Sequence, residues 1–292
     1  MENAEDTFES EGGLRLRYQW WRPEGEPRTV VAIVHGIGEH GGRFGNIVDY
    51  LVPRGHAVYA VDLRGHGRSP GQRGHLMRWS EYREDVRTFL GTIAAREPGR
   101  PLFLLGHSMG GLIVLEYLLR HPEGVRGTII SGAPFESVGV ATPFLVTMAR
   151  IMSRLWPRLP LDVPLEPEAL CREPVAVARY LEDPLVHRKC SARWATEAID
   201  ANLWVKANAA ALRVPLLLLH GEEDRINTAA GARGFFEAVT LPDKELYLVP
   251  GGYHEPHNDP GHEQVLQKVE AHLLAHVERE QPQPKHASLG VA

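Results

Sequence analysis

The stretch Pro101-Leu102-Phe103-Leu104-Leu105-Gly106-His107-Ser108-Met109-Gly110-Gly111-Leu112-Ile113-Val114-Leu115 leaves the chain few folds to choose from. A short apolar run of strand type ends in G-x-S-x-G, and a helix-period segment follows at once. That is the layout of a tight strand-to-helix turn with a serine hydroxyl exposed at its tip, a nucleophile elbow. Gly106 and Gly110 suit such a turn, because it packs neighbouring backbone closely and needs positive φ angles. G-x-S-x-G by itself says little, since both residues are common. The strand before it and the helix after it make the signal specific; an ordinary βα turn with a bystander serine is the competing reading.

A serine is a poor nucleophile without a base and an orienting acid. Val214-Pro215-Leu216-Leu217-Leu218-Leu219-His220 reads as a buried strand, with Gly221-Glu222-Glu223-Asp224 at its carboxyl end. A further strand, Glu245-Leu246-Tyr247-Leu248-Val249, runs into Pro250-Gly251-Gly252-Tyr253-His254. Functional groups in open α/β sheets gather beyond the carboxyl ends of the strands, and Ser108, Asp224 and His254 all lie there. The expectation is that His254 takes the serine proton while Asp224 fixes the imidazole tautomer. The chain has 15 histidines, and His257 is the nearest rival to His254. Glu222, Glu223 and Asp62 compete with Asp224, although Asp62 reads as ordering the Arg64-Gly65-His66-Gly67-Arg68-Ser69 loop.

Charge that develops on an attacked carbonyl needs two N–H donors. One is expected from Met109, next after the serine. The other is expected from Ile37, in the loop His35-Gly36-Ile37-Gly38-Glu39-His40-Gly41-Gly42 after the strand Val30-Val31-Ala32-Ile33-Val34. No G-x-G-x-x-G or phosphate-loop lysine pattern accompanies these glycines, which argues against a nucleotide site.

Leu14, Leu16, Tyr18 and Trp20 alternate with polar residues, the pattern of a half-buried strand near a sheet edge. Buried-type strands follow near 30–35, 57–62, 101–105, 127–131, 214–220 and 245–249, with helical segments between most of them. The fold class is therefore α/β, with a mostly parallel central sheet and helices on both faces. Residues 1–135 and 201–278 are assigned to the core, and 279–292, with Gln-Pro-Gln-Pro, to a disordered tail. The rhythm breaks at 136–200, a proline-rich stretch read as a cap inserted over the crevice. In it Phe144, Leu145, Met148, Ile151, Met152 and Leu155 recur at helical spacing, with Arg150, Arg154 and Arg158 on the other side. Such a helix meets a lipid interface, lines an acyl channel, or packs onto the core.

A net charge of −5 gives no basic footprint for nucleic acid. Cys171 and Cys190 lack metal or redox spacing and fit a reducing compartment. With no apolar leader or spanning run in sight, a cytoplasmic protein is expected.

Several blocks taken together resemble the monoacylglycerol lipase and lysophospholipase family of the α/β-hydrolases, over roughly residues 8–277. They are His35-Gly36-Ile37-Gly38-Glu39-His40-Gly41-Gly42-Arg43-Phe44, Asp62-Leu63-Arg64-Gly65-His66-Gly67-Arg68-Ser69, Gly106-His107-Ser108-Met109-Gly110-Gly111, Tyr180-Leu181-Glu182-Asp183-Pro184-Leu185, Glu223-Asp224-Arg225 and Gly252-Tyr253-His254-Glu255-Pro256-His257. The resemblance implies an α/β-hydrolase fold. It also implies hydrolysis of a small lipid ester through an acyl-enzyme on Ser108, with neither metal nor organic cofactor. It further implies that Tyr180 projects toward the glycerol end of the substrate, and that Glu39, Arg43, His107 and His257 lie about the substrate site. An acid and a guanidinium there either line a pocket for hydroxyls or brace the loop by pairing. Phe44 stands where the family often has tyrosine. Two enzymatic alternatives stay open, a proline iminopeptidase-type aminopeptidase with cap acids for a free amino terminus, and a broad short-chain carboxylesterase. A third is a hydrolase-fold binding protein without catalysis. Oligomeric state is left open.

Overall fold

The computed structural model describes residues 1–138 and 143–277. Eight strands form one sheet. They are β1 (Glu2–Glu9), β2 (Arg15–Arg22), β3 (Thr29–Val34), β4 (His56–Val61), β5 (Leu102–His107), β6 (Gly127–Ser131), and, later in the chain, Leu216–Gly221 and Lys244–Val249. Between β6 and Leu216 lies a separate two-stranded ribbon, β7 (Pro160–Asp162) with β8 (Lys189–Ser191), so the last two sheet strands are β9 and β10. Their order is β1-β2-β4-β3-β5-β6-β9-β10. The ladders from β4 to β10 are parallel, and β2 alone runs against the rest, pairing antiparallel with both β1 and β4. The expected α/β architecture is what the chain builds.

Parallel strands covered on both faces read as continuous apolar runs, and Val30-Val31-Ala32-Ile33-Val34 is buried at every position. Alternate side chains divide it between two cores. Val31 and Ile33 pack with Phe103 and Leu105 against α1 (Gly45–Leu51) and a helix near the C-terminus, His262–His276. Val30, Ala32 and Val34 face a larger cluster under α2 (Ser80–Arg96) and α3 (Met109–Leu118). Truncating a core residue such as Phe103 to alanine costs about 3–5 kcal/mol.

Chain order places the site. After β3 the sheet grows outward to β4, then reverses and adds β5 on the opposite side of β3. Loops leaving β3 and β5 therefore diverge at their carboxyl ends and open a crevice between them. The loop from His35 to Gly42 and Ser108 leave from these two ends.

Residues 143–207 stand apart from the sheet as α4 (Pro143–Leu155), β7, α5 (Pro174–Glu182), β8 and α6 (Ala192–Ala207). The boundary drawn at 200/201 falls inside α6. The remaining helices are α7 (Ala229–Ala238) and α8 (His262–His276). The residues assigned to a tail, 279–292, lie outside the described residues, as do 139–142 of the stretch read as a cap. Strand β1 was not expected. Its acidic sequence has no apolar alternation, and only Phe8 is buried, yet it pairs with β2 along its whole length.

Candidate active site

Ser108 joins β5 to α3 with φ 51° and ψ −121°, the one non-glycine residue at positive φ among the described residues. Such a backbone costs about 1–3 kcal/mol and persists only when its surroundings hold it. Here the Ser108 N–H donates to Ser131 O (2.8 Å), and the Ser108 carbonyl accepts from the Gly111 N–H (2.9 Å). Glycine is required on both sides. A Cβ at Gly110 would lie 2.0 Å from the Val34 carbonyl oxygen, and one at Gly106 would lie 2.5 Å from the Gly110 oxygen.

The turn after β9 carries Asp224 and the loop after β10 carries His254, and the two side chains meet. His254 Nδ1 donates to Asp224 Oδ2 at 2.8 Å, which leaves Nε2 bare in the neutral ring. The other oxygen, Asp224 Oδ1, accepts the backbone N–H groups of Ile226 (2.8 Å) and Asn227 (3.0 Å). Burial works against the Asp224 charge, but the neighbouring imidazoles of His254 and His220 outweigh it and hold the carboxyl well below its usual range. Burial likewise works against a charged His254, and the Asp224 carboxylate prevails, so its pKa is raised. Ser108 and His254 line one small cavity of about 20 Å³ with Gly36, Ile37 and Tyr180.

The rivals are engaged elsewhere. Glu222 and Glu223 are exposed. Asp62 accepts backbone N–H groups from Gly41 and Arg68, both at 2.9 Å, and so orders two loops. His257 lies flat on Phe44 (ring centroids 5.1 Å apart, planes at 10°), and burial pushes its pKa down to about 4. His107 is wedged between His254 and His257, each 5.0 Å away, and burial holds it neutral too.

The loop after β3 is pinned from several sides. His35 Nδ1 donates to the Gly36 carbonyl (2.7 Å), and His35 Nε2 accepts the Leu63 N–H (3.0 Å), with burial pushing its pKa down to about 4. The Gly36 N–H donates to Glu39 Oε1 at 2.6 Å. The Gly38 carbonyl accepts the N–H of His187, and His40 Nε2 lies 2.8 Å from Asp183 Oδ2. Ile37 thus sits between two anchored glycines. Met109 opens α3, where the first N–H groups have no partner within the helix.

Beside the cavity Arg43 bridges two buried carboxylates. It donates through Nε to Glu39 (3.1 Å) and through Nη2 to both Glu255 oxygens (2.8 and 3.0 Å). Burial pushes Glu39 up toward protonation; it acts on Glu255 as well, but there Arg43 prevails and holds the carboxyl low. The Tyr180 ring covers the guanidinium at 4.8 Å, and burial raises its hydroxyl to about 12. The residues named from the sequence, Glu39, Arg43, His107, Tyr180 and His257, are brought to one end of the crevice. Sequence reasoning gave no role to Glu255, His220 or His187. For Glu255 a signal existed, a carboxylate directly after His254; the 212 positions separating it from Arg43 hid the pairing.

These features agree with comparisons to known proteins. Residues 25–261 match the family described as serine aminopeptidase, S33. The chain is 39% identical over 275 residues to a monoacylglycerol lipase of Mycolicibacterium smegmatis, covering 94% of this chain and 98% of that one. It is 32% identical over 249 residues to the Homo sapiens monoglyceride lipase, covering 85% and 82% of the two chains. The crystal structure of a Paleococcus ferrophilus monoacylglycerol lipase superposes with a TM-score of 0.80 at 33% identity, over 94% of this chain and all of that one. The chain belongs to that hydrolase family and, within the α/β-hydrolase superfamily, to the monoacylglycerol lipases.

Proposed function

We propose that this protein hydrolyses monoacylglycerols, and related single-chain esters, to fatty acid and glycerol through an acyl-enzyme on Ser108. His254 takes the Ser108 proton as the hydroxyl attacks the ester carbonyl, and Asp224 stabilises the imidazolium that results. The oxyanion is met by the N–H groups of Ile37 and Met109. His254 then protonates the glycerol oxygen as it leaves; water repeats the attack and releases the acid. Arg43, Glu39 and Tyr180, with His257 behind them, supply hydrogen-bonding groups for the glycerol hydroxyls. The single observation that carries this reading is the buried His254, bonded to Asp224 and lining one cavity with the strained Ser108.

Residues 136–200 are read as the cap. A cavity of about 20 Å³ holds roughly one water molecule. Leu165 and Leu170, which line it from the cap side, must therefore shift to admit an acyl chain. On α4 the side chains of Phe144, Leu145, Met148, Ile151 and Leu155 are exposed, with Trp156 just beyond. Their exposure supports a transient contact with a membrane or micelle that delivers the substrate. Among the described residues no helix is long and apolar enough to cross a membrane. Two buried free thiols, Cys171 and Cys190, support a cytoplasmic setting.

The aminopeptidase reading has less support. It needs cap acids aimed at a substrate amino group; of the five candidates, Glu166, Glu168, Glu173, Glu182 and Asp183, three (Glu166, Glu168 and Glu182) are exposed, Glu173 is half-buried and Asp183 is engaged by His40. The test is glycerol release from 1-monoacylglycerols of graded chain length, beside a dipeptide amide with N-terminal proline, for the wild type and Ser108→Ala. Ester turnover that peaks at one chain length and vanishes in the variant is expected; amide turnover with little glycerol would overturn the assignment.

A further inference from the structure

The end of β9 holds a buried group that the mechanism above does not use. His220 is fully buried in a strand whose four preceding residues are leucines. Its Nε2 lies 2.9 Å from the Asn227 carbonyl oxygen, which can only accept, so Nε2 carries the proton. The same nitrogen is 3.2 Å from Asp224 Oδ2, the oxygen that receives His254. His220 Nδ1 has no hydrogen-bond partner among the described residues. A fifth leucine would fill this position without leaving a bare buried nitrogen.

We infer that His220 is a positioning residue, which acts through Asp224 to limit how strongly the carboxylate draws a proton onto His254. The rest of the turn explains why the effect falls on one oxygen. Asp224 Oδ1 is clamped by the N–H groups of Ile226 and Asn227, and the turn is tied down by Asn227 Nδ2 donating to the Gly132 carbonyl (2.8 Å). Asp224 therefore keeps its place when His220 changes, and of its two oxygens only Oδ2 loses the N–H dipole, which it shares with the Asn227 carbonyl. With that dipole present, the charge on Oδ2 is divided between two imidazoles. Without it, His254 faces the whole charge, and its imidazolium becomes easier to form. The base would then be protonated, and idle, at a pH where the wild type works. The other groups facing His254 are the His107 ring and the Glu255 and Glu39 carboxylates, none of which touches His220.

The inference rests on the hydrolytic reading of the site, so the experiment separates the two. The pH dependence of kcat/KM on a water-soluble p-nitrophenyl butyrate is measured for full-length wild type, His220→Leu, His220→Asn and His220→Gln, with thermal melting recorded for each. A serine-directed phosphonate reports separately whether Ser108 is reactive. In His220→Leu the acid limb is expected to move up by about half to one pH unit, less than a full hydrogen bond to a charged group because the N–H is shared with the Asn227 carbonyl. Activity near pH 6 then falls several-fold, while the alkaline plateau is little changed. The Gln amide N–H reaches about as far as Nε2 and should restore the limb. Asn falls one bond short and should behave as Leu does, which keeps the test alive if Leu does not fold. A uniform loss at all pH values, with an unmoved limb and no rescue by Gln, would make His220 merely structural and overturn the proposal. A limb that moves down would mean that Asp224 has been released, and overturns it too. A wild type that neither turns over the ester nor labels with the phosphonate removes the hydrolytic reading itself, and this inference with it.

Discussion

Helices α3 and α4 are both apolar helices of similar length, set in opposite ways. Every residue of α3 is buried, and its first turn carries the elbow. On α4 the large apolar side chains point outward, Phe144 at 72% exposure and Leu155 at 77%. The less exposed side of α4 carries Val146, Ala149, Met152 and the buried Ser153, which bonds to Thr196 of α6 (2.9 Å), while Arg150 pairs with Asp200 at the surface. Periodicity says only that a helix has two faces. Which face turns inward depends on what the rest of the chain offers, and α4 packs against α6 with its large apolar side chains left outside. Substitutions should therefore read as chemistry and stability around α3, and as encounter with substrate along α4.

The largest effect is expected from Ser108→Ala, which should lower kcat/KM for a soluble ester about 10⁵- to 10⁶-fold with little change in thermal melting. A residual rate near wild type would end the comparison, because α3 would then carry no nucleophile. Asp224→Asn should cost about 10⁴-fold through the wrong imidazole tautomer, while Glu222→Gln changes little. The same assay bears on His254, which must be neutral to act as base. Its pKa is raised above the ordinary 6.5, so the acid limb of the pH profile should lie above that value. Activity falls as the pH drops through the limb, about tenfold per unit below it. A limb clearly under 6 would mean that Asp224 does not support the imidazolium.

Gly110→Ala sets a methyl group 2.0 Å from the Val34 oxygen and should cost about 3 kcal/mol in denaturant unfolding, since neither backbone can give way. The smallest stability effect belongs to α4. The double substitution Phe144→Ser with Leu155→Ser should change unfolding by about 0.5 kcal/mol or less, as at ordinary exposed sites. It should still weaken binding to neutral phospholipid vesicles by about tenfold or more, from lost burial of two large side chains. Vesicle binding equal to wild type would show that α4 faces something other than lipid.

Much of the core was legible because local rules suffice there. The glycines around Ser108 announce a turn that no other residue tolerates, and the runs at 30–34 and 216–219 announce buried parallel strands. Strand β1 was not legible, because its order comes from pairing with β2 and not from its own residues. The brace of Glu39, Arg43 and Glu255 was half legible. The i,i+4 pair is local, but the second carboxylate arrives from the far end of the chain. For α4 the period was plain, and the direction it faces was not, since that is a property of its neighbours. His220 was read simply as the end of a strand, and only the folded turn brings it to Asp224.

Strand β1 has a further consequence. It caps one end of the sheet with Glu2, Glu5, Asp6 and Glu9 turned to solvent, and Arg17 and Arg96 compensate two of them. An outer strand so dense in carboxylates discourages neighbouring molecules from extending the sheet by backbone pairing. Deleting residues 1–9 would uncover β2, whose sequence Tyr18-Gln19-Trp20-Trp21 is aromatic and offers a free row of N–H and C=O groups. The first strand is thus a guard against self-association, and chains shortened at that end should assemble into larger species as their concentration rises.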